Sequence, residues 1–146
     1  MTNHFNKDIN TDNLLNEIKN SKNISDYFNK NANEMHLCSF AEYLDQWLTK
    51  QRITKADVVR LSNLNKAYVY QIFSGKKHPS RDKVIALSFG LKLTLAESQV
   101  LLKQAGYREL YPRDPRDTLI IFSLSHSKSI LETNDLLFDH NIKVLE

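Results

Sequence analysis

Helix-start signals recur along this chain from residue 39 onward, and they constrain its fold more tightly than any other feature. Ser39-Phe40-Ala41-Glu42, Thr94-Leu95-Ala96-Glu97 and Ser129-Ile130-Leu131-Glu132 all match the capping box. In that motif the hydroxyl accepts the third residue's N–H, and the Glu reaches back to the cap's own N–H. Thr54-Lys55-Ala56-Asp57 and Asp114-Pro115-Arg116-Asp117 are close relatives, the second with proline at the favoured first helical position. Asn65 and Ser80 fit as single-residue N-caps. The spacing predicts helices over about 39–50, 54–62, 65–74, 80–89, 94–105, 115–126 and 129–140, joined by the short connections of a compact bundle. Only three glycines and three prolines occur among 146 residues, too few for a β-rich chain with many tight turns. Gly75, Gly90 and Gly106 each follow a helix-like stretch, where a left-handed terminal residue is expected. The expected fold class is all-α.

Two segments complicate that pattern. Thr118–Leu124 is rich in β-formers, and propensity alone would make it a strand. Its Asp114-Pro115 start and its short link to the next capped helix favour a helical hairpin instead. At the other end, ten of the fourteen asparagines fall within residues 3–33. Asparagine is a poor helix former, so residues 1–38 are expected to be a weakly ordered arm with one or two short helices. Leu14, Leu15 and Ile18, then Ile24, Tyr27 and Phe28, have helical spacing and can dock on the core or on a second subunit.

Several classes of function are disfavoured at once. The longest apolar cluster, Leu119-Ile120-Ile121-Phe122, falls far short of the roughly 18 residues a membrane span needs. The start, MTNHFNKDIN, lacks a basic segment leading into an apolar run, so no secretory signal is expected. One cysteine, Cys38, allows neither an intrachain disulfide nor a cysteine zinc cage. A cytoplasmic protein is the expectation. The three glycines are too far apart to cradle a phosphate, and no histidines stand at i,i+4. His36 with Cys38 is the single ligand-like pair and has no third partner, so neither a metal nor another cofactor is expected. Asp139-His140 reads as helix-end electrostatics rather than an acid/base device. Without a nucleophile elbow or any other catalytic constellation, enzyme activity is not expected.

Charge points the other way. The net charge of +3 is concentrated in the middle: residues 39–83 carry nine basic and four acidic groups, whereas both flanks are slightly acidic. Such a distribution suggests a local polyanion-binding face. Residues 52–80 hold six Lys or Arg and a single carboxylate, Asp57, which has a capping role.

Inside that region, Ile53 to Ser80 reads ITKADVVRLSNLNKAYVYQIFSGKKHPS. Two short helices are joined by the tight link Ser62-Asn63-Leu64. Val58, Val59, Leu64, Val69 and Ile72 form a spaced apolar set able to lock them at a steep angle, and Ala56 permits close approach. That is the helix-turn-helix pattern, whose second helix enters the DNA major groove. With Val69, Ile72 and Phe73 turned inward, the open face of the second helix shows Lys66, Ala67, Tyr68, Tyr70 and Gln71. Lys66 can reach guanine O6/N7, Gln71 can pair with adenine, and Ala67 can touch a thymine methyl. Tyr68 and Tyr70 can meet phosphates through their hydroxyls or bases through their rings, or pack on neighbouring helices.

From Ile53 to Ser80 without a gap, and more loosely from Ser39 to Ala105, the sequence resembles the lambda-repressor-like (Cro/CI-type, XRE) DNA-binding family. Gly75-Lys76-Lys77-His78-Pro79-Ser80 is similar to the family's close of the recognition helix. The resemblance implies a five-helix domain over 39–106; beyond it, the caps at Asp114 and Ser129 lead us to expect a C-terminal helical hairpin over 107–146. It implies a DNA-binding regulator, most simply a repressor, that pairs as a homodimer on a pseudo-palindromic operator in double-stranded DNA. Its base contacts would come from Lys66, Ala67, Tyr68, Tyr70 and Gln71. Its phosphate contacts would come from Arg52, Lys55, Ser74, Lys76, Lys77 and Arg81. Many members carry glutamine where this chain has Lys55; lysine holds a phosphate as a point charge but lacks glutamine's two-sided hydrogen bonding.

The hairpin carries more apolar surface than it can bury alone, in Leu119, Ile120, Phe122, Leu124, Ile130, Leu131, Leu136, Leu137 and Phe138. Part of it must pack on the preceding domain or on a partner. An alternative function therefore follows: a protein-interaction module, antitoxin-like or an adaptor subunit, acting through the hairpin or the N-terminal arm.

Overall fold

In the computed structural model, residues 11–31 and 38–146 are described, and every regular element among them is an α-helix. The chain divides into two units, residues 1–39 and 40–146. In the first lie α1 (Thr11–Asn20) and α2 (Ile24–Asn31), which touch one another. α1 has no buried residue, and Leu15, Ile18 and Ile24 are exposed. The rest of the expected arm over 1–38, residues 1–10 and 32–37 with His36, lies outside the described residues.

The second unit contains α3 (Phe40–Gln51), α4 (Lys55–Ser62), α5 (Lys66–Phe73), α6 (Arg81–Gly90), α7 (Leu95–Gln104), α8 (Pro115–Ser125) and α9 (Ile130–Asp139). Their starts follow the caps. Thr54, Thr94 and Ser129 each accept the third residue's N–H, and Asp57, Glu97 and Glu132 each accept the cap's own N–H in return. Asn65 and Ser80 cap α5 and α6 from extended backbone. Asp114 accepts two N–H groups, from Arg116 and Asp117, and Thr118–Leu124 is helical despite its β-forming side chains. A cap with proline at the first position decides the state there, because the packing of Ile120 and Leu124 serves a helix as well as a strand.

The most extensive helix pairings are α4 with α6, then α6 with α7 and α8 with α9, while α5 lies against both α3 and α4. The core draws on all seven helices, with Trp47, Val58, Ile72, Leu87, Leu101, Ile120 and Leu137 almost wholly buried. The hairpin thus buries part of its apolar surface within its own unit, and α8 touches α7. Two Arg-Asp dipeptides reinforce this by pairing crosswise. Arg81 of α6 donates to both oxygens of Asp117 at 3.2 and 2.9 Å, and Arg116 of α8 donates to both oxygens of Asp82 at 2.8 Å. Arg116 also holds the C-terminal strap through the carbonyls of Lys143 and Val144, and Leu145 is buried behind it.

Gly75 and Gly106 have the expected left-handed backbone, at φ +82° and +89°. Gly90 does not. It lies inside α6, and Lys92 takes the left-handed position instead at φ +56°. What Gly90 supplies is room: a Cβ there would stand 3.0 Å from the Val58 carbonyl oxygen, 3.0 Å from Ser62 Cβ and 3.1 Å from Val58 Cγ1. Overpacking costs about 1–3 kcal/mol, set against roughly 1 kcal/mol that alanine gains over glycine in a helix. Gly90→Ala is therefore expected to lower the urea midpoint; an unchanged midpoint would show that parting α4 and α6 costs no more than alanine gains in the helix.

Acid should weaken the fold. Hydrogen bonds from Arg116 hold Asp82 below the ordinary carboxylate range against the opposing effect of burial. Backbone N–H groups do the same for Asp57, Asp114 and Glu132. Each carboxyl binds its proton more readily in the unfolded chain. Their stabilisation is complete above the ordinary range, about pH 4–5, and is lost as pH falls through the depressed folded values. Urea midpoints should be insensitive to these groups from pH 6 upward and should fall below about pH 4, less steeply in Asp82→Asn.

Candidate nucleic-acid interface

The two short helices that carry the chemistry are placed by their caps and by one apolar seam. Asn63 adopts a left-handed backbone at the end of α4, and the Leu64 N–H donates to Ser62 Oγ, turning the chain within three residues. Asn65 Oδ1 then accepts the Tyr68 N–H. Val69, Ile72 and Phe73 are buried, fixing the rotation of α5 about its axis. The opposite face is left open: Lys66, Ala67 and Tyr70 are exposed, and Tyr68 and Gln71 are half-buried.

At the far end of α5 one carbonyl gathers three donors. The Gln71 carbonyl receives the N–H groups of Lys76 and Lys77 at 3.0 and 3.2 Å and the Ser74 hydroxyl at 3.0 Å. With Gly75 left-handed beneath them, Lys76 and Lys77 emerge as exposed side chains directly after the helix.

Four ammonium groups gather around the two tyrosine rings. Lys55 Nζ lies 5.7 Å and Lys66 Nζ 6.0 Å from the centre of the Tyr70 ring, and Lys55 is also 5.6 Å from Phe73. Lys77 Nζ is 5.8 Å and Lys83 Nζ 5.6 Å from the centre of Tyr68. These distances lie within the ~6 Å over which a ring's negative face attracts a cation. Lysines from α4 and α5 are thereby gathered at Tyr70, and lysines from α6 and the link before it at Tyr68. Among the described residues, none of Lys55, Lys66, Lys76, Lys77 and Lys83 is ion-paired. The nearby carboxylate, Asp57, is engaged by the Thr54 backbone N–H and hydroxyl and by Arg60, which together keep it below the usual carboxylate range.

The sites expected from sequence divide into three groups. Lys66, Ala67, Tyr68, Tyr70 and Gln71 share α5, with Lys55 and Lys77 brought to its tyrosines. Ser74 and Lys76 are exposed at its end, and Arg52 is exposed after α3 with φ +55°; no contact joins any of these three to the rings. Arg81 differs from the rest. Its guanidinium donates to Asp117, to the Arg108 carbonyl and to the Glu109 carbonyl, and only 18% of its side chain is exposed. Four of its five donors are thus engaged inside the fold. Lys83 is not among the sites expected from sequence, although the Ser80 cap predicts its place in the first turn of α6. No local signal shows that Arg81, two residues earlier, is claimed by an aspartate 36 positions away.

Among the described residues no group of three or more His, Cys, Asp or Glu is arranged to hold a metal ion, and no helix is long and apolar enough to cross a membrane. No protein-family model, curated protein or solved structure matches the chain.

Proposed function

We propose that this chain is a sequence-specific DNA-binding regulator of the lambda-repressor-like type, acting in the cytoplasm as a homodimer on a pseudo-palindromic operator. In this reading α3–α7 form the family's five-helix domain and α5 enters the major groove. The observation that carries it is the cluster of unpaired lysines from three helices and a link around Tyr68 and Tyr70, on the open face of a helix locked by its apolar side. Lys66, Ala67, Tyr68, Tyr70 and Gln71 meet base edges or adjoining sugars. Lys55, Ser74, Lys76, Lys77 and Lys83 meet phosphates, with Arg52 at the border. Arg81 is left out of this set. Repression by occlusion of a promoter is the simplest outcome, and the reading assigns no catalytic step and no cofactor.

Phosphate contacts announce themselves in the salt dependence of binding, since each neutralised phosphate releases counterions. Lys77→Ala and Lys83→Ala are each expected to weaken binding to all duplex sequences alike and to reduce the slope of log K against log salt by about one unit. An unchanged slope would remove that lysine from the phosphate set.

A second reading rests on a different observation. Phe138 is 74% exposed and Leu131 60%, on one side of α9 seven residues apart, and Phe122 of α8 is 43% exposed. Such side chains suit an antitoxin-like or adaptor role in which the hairpin binds another protein. Co-purification of a second protein, lost in Leu131→Ser/Phe138→Ser, would favour it.

A further inference from the structure

A cleft of about 560 Å³ opens between the end of α6, the start of α7 and the turn joining α8 to α9. This volume lies within the roughly 300–1,000 Å³ typical of small-molecule sites. Its floor is apolar, built from Leu61, Phe89, Leu93, Leu95, Leu124 and Ile130. Phe89, Leu93 and Leu124 keep 8%, 6% and 7% of their surface exposed, whereas their neighbours Leu87, Leu91 and Ile120 keep none. The residual exposure is what an open apolar floor produces.

The rim is polar and carries two cations, Lys92 and Lys128. Among the described residues neither ammonium is ion-paired, and the hydroxyls of Ser125 and Ser127 beside them make no hydrogen bond. One carboxylate, Glu132, also lines the cleft; its Oε1 accepts the Ser129 N–H at 2.9 Å and its charge is partly offset by Lys128, so the rim keeps a net positive charge. Charge and floor together specify the occupant: an apolar body with one negative end.

We propose that this cleft binds an amphipathic monoanion, of which a medium-chain carboxylate is the simplest case, with its chain on the Phe89–Leu93–Leu124–Ile130 floor and its carboxylate between Lys92 and Lys128. Each lysine contributes a charge-assisted hydrogen bond, and Ser125 or Ser127 adds a neutral one. The site does not rest on the DNA reading, because none of its residues belongs to the lysine–tyrosine surface.

The test is a titration of the full-length protein with decanoate, followed by amide chemical shifts in two-dimensional NMR, with decan-1-ol as the neutral control. Saturable shifts confined to the residues around the cleft are expected. The paired variant Lys92→Asn/Lys128→Gln keeps the left-handed backbone at position 92, which asparagine tolerates. It should retain the dispersed spectrum of the native fold while binding decanoate about tenfold or more weakly, with decan-1-ol binding unchanged. Absence of saturable shifts in the wild type, equal decanoate affinity in the variant, or shifts centred on Phe122, Leu131 and Phe138 would each overturn the proposal.

Discussion

Asp117→Ala is expected to destabilise the protein by about 3–5 kcal/mol, the cost of breaking a buried ion pair from one side. Asp117 is only 1% exposed, yet it receives two hydrogen bonds from Arg81 and one from the Tyr111 N–H, with Arg108 3.5 Å away. Removing the carboxylate leaves Arg81, itself mostly buried, without its counter-charge. The measurement is urea denaturation at neutral pH. Replacing both members with apolar residues, as in Arg81→Met/Asp117→Leu, should cost less than the single change, because no uncompensated charge remains. The companion pair, Arg116–Asp82, is about a fifth to a quarter exposed at each side chain and is screened more. Asp82→Ala should therefore cost less than Asp117→Ala. A loss under ~0.5 kcal/mol in Asp117→Ala, the range of an ordinary surface change, would contradict this account of how the hairpin is fastened.

The second large effect concerns recognition. Lys66→Ala/Gln71→Ala should abolish most of the discrimination between operator and unrelated duplex, since each good base contact is worth about 1–3 kcal/mol. Neither change touches the buried side of α5, where Val69, Ile72 and Phe73 hold the helix in place. Folding stability should accordingly stay within about 0.5 kcal/mol of wild type. Binding to non-specific DNA, and its salt slope, should change little, because neither residue is assigned to a phosphate. The combination of lost preference, retained fold and retained salt slope distinguishes base contacts from phosphate contacts. Equal preference in mutant and wild type would move the reading surface away from α5.

Much of this architecture was legible from residue types alone, for a local reason. A capping box is a contact among four consecutive residues, so Thr54, Thr94 and Ser129 announce their helices without reference to the rest of the chain. The apolar positions of α5 are equally local, because rotation about a helix axis follows from which side is buried. Distant relations were not legible. Asp117 has the spacing of a capping residue for Asp114, but it turns away to meet Arg81, and sequence spacing carries no trace of that choice. Gly90 sits where a helix-terminating glycine is expected, and only the nearness of Val58 and Ser62 reveals that it makes room for α4. The lysine–tyrosine cluster was half visible: Lys55, Lys66 and Lys77 lie within the helix-turn-helix segment, whereas Lys83 joins them only because α6 begins beside Tyr68.

The central claim is that the open face of α5 reads a DNA sequence, and its most direct test is selection of bound sequences from random duplex DNA, run beside Lys66→Ala/Gln71→Ala. The account predicts enrichment of a two-fold symmetric motif by the wild type, with half-sites about one helical turn apart, and loss of that motif in the variant. A folded wild-type protein that enriches no sequence, or a variant that enriches the same one, would contradict it.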